Sequence, residues 1–304
     1  MNILLAFEKV ATIFILIIAG FAFGKLTKDN DTRLLSKLVL NVAVPAKIIS
    51  SISAAKFAEV KTDMFTLMLI SVCVIAATLL FCFPFTRIIK TRGVKETAVY
   101  RSAMFFNNYG FLGWPVCFVF FGEQGLLYAA LYSIPMHLFL YAITPALLSG
   151  GKTKGFDKKL LINMPLFATI TGFVLLVFGI SPPTYANEML VMVGDTQTPL
   201  SMIVIGMMLA GADLKKVLIG VRPYAYSFIR LLLLPAAAYL ILSQLGVTGL
   251  VLGVSVVITA MPAGTMVAIL AQKHGADYVL GSKLVIISTL LSLITIPIIS
   301  LLVL

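Results

Sequence analysis

The chain has 304 residues, of which 60% are hydrophobic and only 12% charged. A soluble domain carries about 25% charged residues, so the composition excludes an ordinary soluble fold and points to one polytopic membrane domain. The net charge of +11 would invite a nucleic-acid role, but the distribution of the basic residues excludes it, because they cluster in alternate loops.

Ten apolar runs are long enough to span, each reaching the roughly 20 residues a spanning helix needs: 4–24, 33–53, 63–86, 98–121, 124–149, 159–180, 187–211, 219–243, 247–271 and 277–303. The first has no basic leader and is long enough to span, unlike a cleavable signal. Lys25, Lys28 and Arg33 follow it; Arg87, Lys90, Arg92 and Lys95 follow the third run. Lys152, Lys154, Lys158 and Lys159 follow the fifth, Lys215, Lys216 and Arg222 the seventh, and Lys273 the ninth. The connections of opposite parity hold only Lys56 and Lys61. The positive-inside rule therefore predicts both termini on the non-cytoplasmic side and the basic loops in the cytoplasm, with some contact to anionic lipid.

Runs four and nine are interrupted. The fourth contains NNYGFLGWP at 107–115, and the ninth contains MPAG at 261–264. Backbone groups freed at such breaks cannot be satisfied by lipid and must face protein or a watery cavity. Features also recur at about half the chain length: Ala19-Gly20-Phe21 with Thr171-Gly172-Phe173, Asn41 to Pro45 with Asp195 to Pro199, and Gly122 with Gly275. Five spans per unit is an odd number, so the second unit enters the membrane inverted. The expected fold is all-α: ten transmembrane helices in two inverted five-helix repeats, residues 1–149 and 159–304. A short cytoplasmic linker at 150–158 joins them, and helices 4 and 9 are broken crossovers. Half-helix N-termini at the crossing carry partial positive charge and suit a small organic anion.

Asn107 and Asn108 are substrate-binding candidates, since an amide can donate to a carboxylate. Tyr109, Gly110, Pro262, Ala263, Gly264 and Asn41 join them as residues of, or equivalent to, the breaks. Gly113, Pro115, Pro45 and Pro199 are read as helix breakers. Charge inside a span is costly and marks function by default. Asp195, the deepest acidic residue in a span, is the candidate for proton coupling, with a helix-cap role as its alternative. Arg230 is a candidate coupling or fixed charge, with a structural ion pair or a clamp on backbone carbonyls as its alternative. Lys283 either snorkels to the cytoplasm or projects toward the crossing. His137 has the proton affinity for coupling or is a packing residue. Lys47 is expected to snorkel outward. Cys73, Cys82 and Cys117 read as free thiols. No metal site, cofactor site or catalytic motif such as GxSxG or HExxH is present in the sequence, so no enzyme activity is expected.

NNYGFLGWP with FFGEQG at 120–125, TPLSMIVIGMMLAG at 198–211, AMPAGTMVAILAQKHGAD at 260–277 and the spacing of Arg230 to Pro235 together resemble the auxin efflux carrier family, over essentially the whole chain. That family holds plant PIN-type carriers and bacterial permeases for malate and other carboxylates. The resemblance implies a fold shared with bile-acid symporters and proton antiporters, a scaffold of helices 1, 2, 6 and 7, a moving domain of helices 3–5 and 8–10, and a homodimer. It also implies that Asn108, seven residues before Pro115, contacts the substrate carboxylate. A second family Asn falls on Ala103 here, and the long PIN-type cytosolic loop is reduced to a few residues. Both departures favour a bacterial-type permease in the cytoplasmic (inner) membrane. The expected function is secondary transport of small organic anions by elevator-type alternating access; a ligand-binding membrane sensor and an anion channel are the alternatives.

Overall fold

The computed structural model describes residues 3–28, 31–53, 55–149 and 164–303, and every regular element among them is helical. In chain order these are α1 (Ile3–Thr27), α2 (Arg33–Ser53), α3 (Phe57–Ile88), α4 (Val94–Phe105), α5 (Trp114–Leu148), α6 (Met164–Phe178), α7 (Thr184–Ala210), α8 (Val221–Gln244), α9 (Gly249–Thr259), α10 (Met266–Lys273) and α11 (Tyr278–Ser300). Among the described residues six stretches are long and apolar enough to cross a membrane: Arg33–Ser53, Val60–Ile88, Tyr109–Phe139, Thr184–Ala210, Val221–Gln244 and Tyr278–Ser300. Ala11–Thr27, Met164–Phe178 and Gly249–Thr259 are shorter apolar helices. The segment read as a linker, 150–158, lies outside the described residues.

Proline decides where these helices depart from regularity. A proline inside a helix has no N–H to donate, and its ring collides with the carbonyl four residues back. In α2 the chain answers with a π-turn over Val39–Ala43, in which the Val44 N–H reaches the Val39 carbonyl; Pro45 follows. In α8 a π-turn covers Ile229–Leu233, the Leu234 N–H reaches Ile229, and Pro235 follows. A third π-turn, Tyr109–Gly113, precedes Pro115. Each ends two residues before its proline, so the wide turn carries the chain past the obstructed carbonyl. In α7 the device differs: the helix breaks at Thr196, three residues before Pro199.

Contacts divide the chain into two compact units. The first holds Met1–Met68, Gly110–Ile134 and Ile162–Ala212; the second holds Leu69–Tyr109, Pro135–Leu161 and Asp213–Leu304. In the first, α1 and α7 touch backbone to backbone. A Cβ built on Gly20 would lie 2.3 Å from the Ile203 carbonyl oxygen, and one on Gly206 would lie 2.1 Å from that of Ile17. Small residues at such a seam are the usual means of helix association in lipid. The first unit also contains the corner at Gly122 (φ 67°, ψ −155°), which interrupts α5 between runs four and five. An L-residue pays heavily for that conformation and glycine does not. In the second unit, Phe85, Tyr100 and Tyr226 form an aromatic cluster with ring centroids 6.2–6.3 Å apart.

Candidate functional site

In the second unit the two interrupted helices meet. α4 ends at Phe105 and α9 at Thr259, and the extended residues that follow them pair as a single antiparallel bridge, Asn107 with Ala263. The Asn108 N–H donates to the Pro262 carbonyl at 2.8 Å, and the Gly264 N–H donates to the Phe106 carbonyl at 3.2 Å. The Ala263 N–H donates to Ser288 Oγ on α11 at 3.1 Å. Each break thus supplies what the other lacks, in a medium that offers no water. The approach is close: a Cβ on Gly264 would lie 2.2 Å from the Phe106 ring and 2.9 Å from the Asn107 carbonyl oxygen. No residue larger than glycine fits there without displacing that ring.

The carbonyls at the C-terminal ends of α4 and α9 are satisfied by side chains. Asn107 Nδ2 donates to the Ile258 carbonyl at 2.5 Å. Tyr226 OH donates to the Ala103 carbonyl at 2.8 Å. Arg230, 1% exposed, donates from Nη1 to the Met104 carbonyl at 3.1 Å and from Nε to the Met261 carbonyl at 3.3 Å. One guanidinium therefore caps both breaks, which is the carbonyl-clamp alternative for Arg230. Ser102 Oγ on α4 and Ser255 Oγ on α9 are buried without a hydrogen-bond partner, and two amide groups at the first break are also left over. Asn107 Oδ1 is buried with no hydrogen-bond partner, and the side-chain amide of the buried Asn108 has none among the described residues. Tyr109 lies edge-on to Phe106 at 5.7 Å and to His137 at 4.9 Å, and both Tyr109 and His137 are buried. A Cβ on Gly110 would meet nothing within 4 Å.

The backbone N–H groups of Asn108, Ala263 and Gly264 are all engaged, the first and last by the opposite break and that of Ala263 by Ser288. Asn107 is likewise a hydrogen-bond donor to the protein through one end of its amide. Lys283 does not reach the crossing as a fixed charge; its ammonium donates to the Ile219 carbonyl in the loop before α8.

The first unit holds a second polar cluster. Lys47 on α2 is buried, against the expectation that it snorkels. Its Nζ lies 2.6 Å from Glu123 Oε1 and 2.9 Å from Asp195 Oδ1, and 4.4 Å from the centre of the Phe118 ring. Ser51 Oγ donates to Glu123 Oε2 at 2.5 Å. Glu123 stands just after the Gly122 corner, and Asp195 at the break in α7. Gly194 lets α7 close on α2, since a Cβ there would lie 2.8 Å from Lys47 Cα. Lys47 snorkelling was inferred from its distance to the helix end; the carboxylates that hold it come from elements distant in sequence. The usable signal was Glu123 itself, an acid placed directly after a glycine corner. Asn41 belongs to this unit, is exposed, and donates to the Lys37 carbonyl of its own helix at 2.9 Å. Gly113, Pro115, Pro45 and Pro199 belong to the same unit and sit at the π-turns and the α7 break. Among the described residues no group of three His, Cys, Asp or Glu side chains could hold a metal.

The sequence matches the family model described as "Membrane transport protein" over residues 5–159 and 151–300. It is 29% identical over 296 residues to an "Uncharacterized transporter" of Methanothermobacter thermautotrophicus, covering 95% of this chain and 96% of that protein. It is 27% identical over 301 residues to a transporter of Methanocaldococcus jannaschii, covering 95% and 96%. It is 22% identical over 298 residues to a protein of Rhizobium meliloti named "Putative malonate transporter", covering 93% and 91%. With a family model spanning nearly its whole length and apolar helices to match, this chain is an integral membrane protein of the membrane transport family to which the auxin efflux carriers belong.

Proposed function

We propose that the protein is a secondary transporter of small carboxylates that binds its substrate at the crossing of the two broken helices. The observation that carries this reading is the asymmetry of the crossing. The C-terminal carbonyls of α4 and α9, the negative ends of those helices, are covered by Arg230, Tyr226 and Asn107. The N-terminal turn that begins at Met266 keeps its partial positive charge. An anion is favoured beside a positive helix end where the neighbouring negative ends are capped. The Asn108 amide is buried and unspent, so it can donate to a carboxylate without the cost of desolvating a lysine. The name of the Rhizobium relative, "Putative malonate transporter", makes malonate the first compound to try.

The transport cycle we propose is of the elevator type, with ten spans in two inverted repeats and both termini outside. Its support is that α1, α2, α6 and α7 fall wholly in one compact unit and α8 to α11 wholly in the other. The organisation as a homodimer in a bacterial inner membrane is part of the same reading.

The test is binding and counterflow of labelled malonate in proteoliposomes. A carrier accelerates exchange saturably; a sensor does not exchange, and a channel does not saturate. Losing a hydrogen bond to a charged group costs about 1.5–3 kcal/mol, so Asn108→Ala should weaken malonate binding about 10- to 150-fold in a protein that still folds. Asn108→Asp should bind worse still, because it sets like charge against the anion. Unchanged affinity in Asn108→Ala would move the site away from this crossing.

A further inference from the structure

The geometry points to the Lys47–Glu123–Asp195 cluster as a proton-binding site, with Asp195 Oδ2 as the atom that takes the proton. Counting charges is the first step. One ammonium lies between two carboxylates, so with all three groups ionised the cluster carries one net negative charge. One added proton makes these three groups neutral as a set.

The hydrogen bonds say where that proton goes. Both oxygens of Glu123 are occupied, Oε1 by Lys47 and Oε2 by Ser51. Asp195 has Lys47 on Oδ1, and its Oδ2 has no hydrogen bond among the described residues. The Lys47 side chain is only 5% exposed, whereas those of Glu123 and Asp195 are 55% and 58% exposed. The ammonium is thus sealed in and the carboxylates are reachable. A cavity of about 170 Å3 reaches the Glu123 side of the cluster, lined by Ser51, Glu123, Gln124 and Lys56 among others.

Among the described residues no other ionisable side chain is hydrogen-bonded to Lys47, Glu123 or Asp195. α6, which packs on α2, carries no ionisable side chain over Met164–Phe178. Glu188 lies about two turns before Asp195 on α7. On α3, Asp63 accepts from Tyr128 OH at 2.5 Å. Lys56 is the remaining charge on the cavity wall. In the step itself, Asp195 Oδ2 takes a proton from water on the open side, Lys47 keeps its own, and the cluster passes from one negative charge to neutral. Lys47 is then bound by one full carboxylate instead of two, which loosens the tie between α2 and α7 at the Gly194 contact. Proton occupancy and the packing of those helices are coupled in this way.

This inference rests on the transport reading only for its consequence, which is proton-coupled movement of the anion. Two measurements separate them. The first is infrared difference spectroscopy on the purified full-length protein during a pH titration, following the carboxylic C=O stretch. The wild type should show a protonating carboxyl that is absent from Asp195→Asn. Glu123→Gln leaves one ammonium and one carboxylate, neutral without a proton, so the band should appear only at lower pH. Lys47→Met leaves two carboxylates without their cation, so the band should appear at higher pH. A merely structural ion pair would not move the band in opposite directions. The second measurement is the final malonate level in proteoliposomes at clamped zero potential. One coupled proton turns a pH gradient of about one unit into roughly tenfold accumulation; Asp195→Asn should only equilibrate. A band that persists unchanged in both Asp195→Asn and Glu123→Gln, or is missing from the wild type, overturns the site even if malonate moves. A band that behaves as described in a protein that never moves malonate leaves the proton site standing and removes malonate as the substrate.

Discussion

The crossing in the second unit and the lysine cluster in the first solve one problem in opposite ways. Each gathers interrupted helices inside the membrane and must satisfy what the interruptions expose. At the crossing, neutral backbone pairs with neutral backbone, and the buried Arg230 donates to carbonyls. At Lys47, carboxylates meet an ammonium and little backbone is involved. The first arrangement leaves an uncharged amide, Asn108, as the open group; the second leaves an acid oxygen on Asp195. Amide donors suit an anion, and an open carboxylate suits a proton. In the transport cycle we propose, the difference would divide anion binding and proton binding between two kinds of chemistry.

The sharpest way to break this comparison is at Arg230. Arg230→Ala removes two charge-assisted hydrogen bonds, each worth about 1.5–3 kcal/mol, and leaves the Met104 and Met261 carbonyls buried without that donor. We expect a loss of about 3–6 kcal/mol in unfolding stability, measured by denaturant or thermal unfolding in lipid or detergent. Arg230→Lys cannot span both carbonyls with a planar fork and should recover only part of it. A variant as stable as the wild type would mean that the capping of both breaks does not depend on this guanidinium.

Lys47→Met tests the other region. Breaking a fully buried ion pair costs about 3–5 kcal/mol, and breaking an exposed one under about 1 kcal/mol. Lys47 is buried while both partners are more than half exposed, so we expect a loss of about 1–3 kcal/mol. Denaturant or thermal unfolding of the variant in lipid or detergent checks the size of the loss.

Gly264→Ala probes the closeness of the crossing. Its Cβ would collide with the Phe106 ring, and overpacking typically costs about 1–3 kcal/mol. Shortening the ring should relieve it, so Phe106→Leu combined with Gly264→Ala should be less destabilised than the sum of the two alone. Additive losses would place the strain elsewhere.

The two regions also differ in how far the sequence disclosed them. The breaks were readable because Gly and Pro interrupt apolar runs at 107–115 and 261–264, and no regular helix passes through NNYGFLGWP. Their mutual pairing was not readable. That pairing requires residues 107 and 263 to lie side by side, and local propensity carries no such information. Arg230 could be marked as costly inside a span, but its carbonyl partners lie 126 and 31 residues away. Lys47 was misread for the same reason. Snorkelling is judged from distance to a helix end, whereas Glu123 and Asp195 lie 76 and 148 residues along the chain. The π-turns were half legible: the prolines announced a disturbance, and only the backbone shows that it is absorbed as a wide turn.

The smallest effect is expected at Asn41, which shares a place in the repeat with Asp195 but not its chemistry. Its amide is exposed and donates to the Lys37 carbonyl one turn back on the same helix. An exposed local hydrogen bond of this kind contributes little net stability, because water replaces it. Alanine also has the higher helix propensity, by roughly half a kcal/mol, which offsets much of the loss. Asn41→Ala should therefore change unfolding stability by about 0.5 kcal/mol or less. Its malonate affinity should stay within about twofold of wild type, a difference worth roughly 0.4 kcal/mol. Asn41→Asp sharpens the point by giving α2 the acid that α7 carries in the matching place. If a carboxylate there brings a second proton-linked step into malonate accumulation, the position is reached by the transport cycle and the neutral role assigned to Asn41 fails. If accumulation stays at one proton's worth, the chemistry of the first unit belongs to the ammonium-bound Asp195 and not to the repeat position as such.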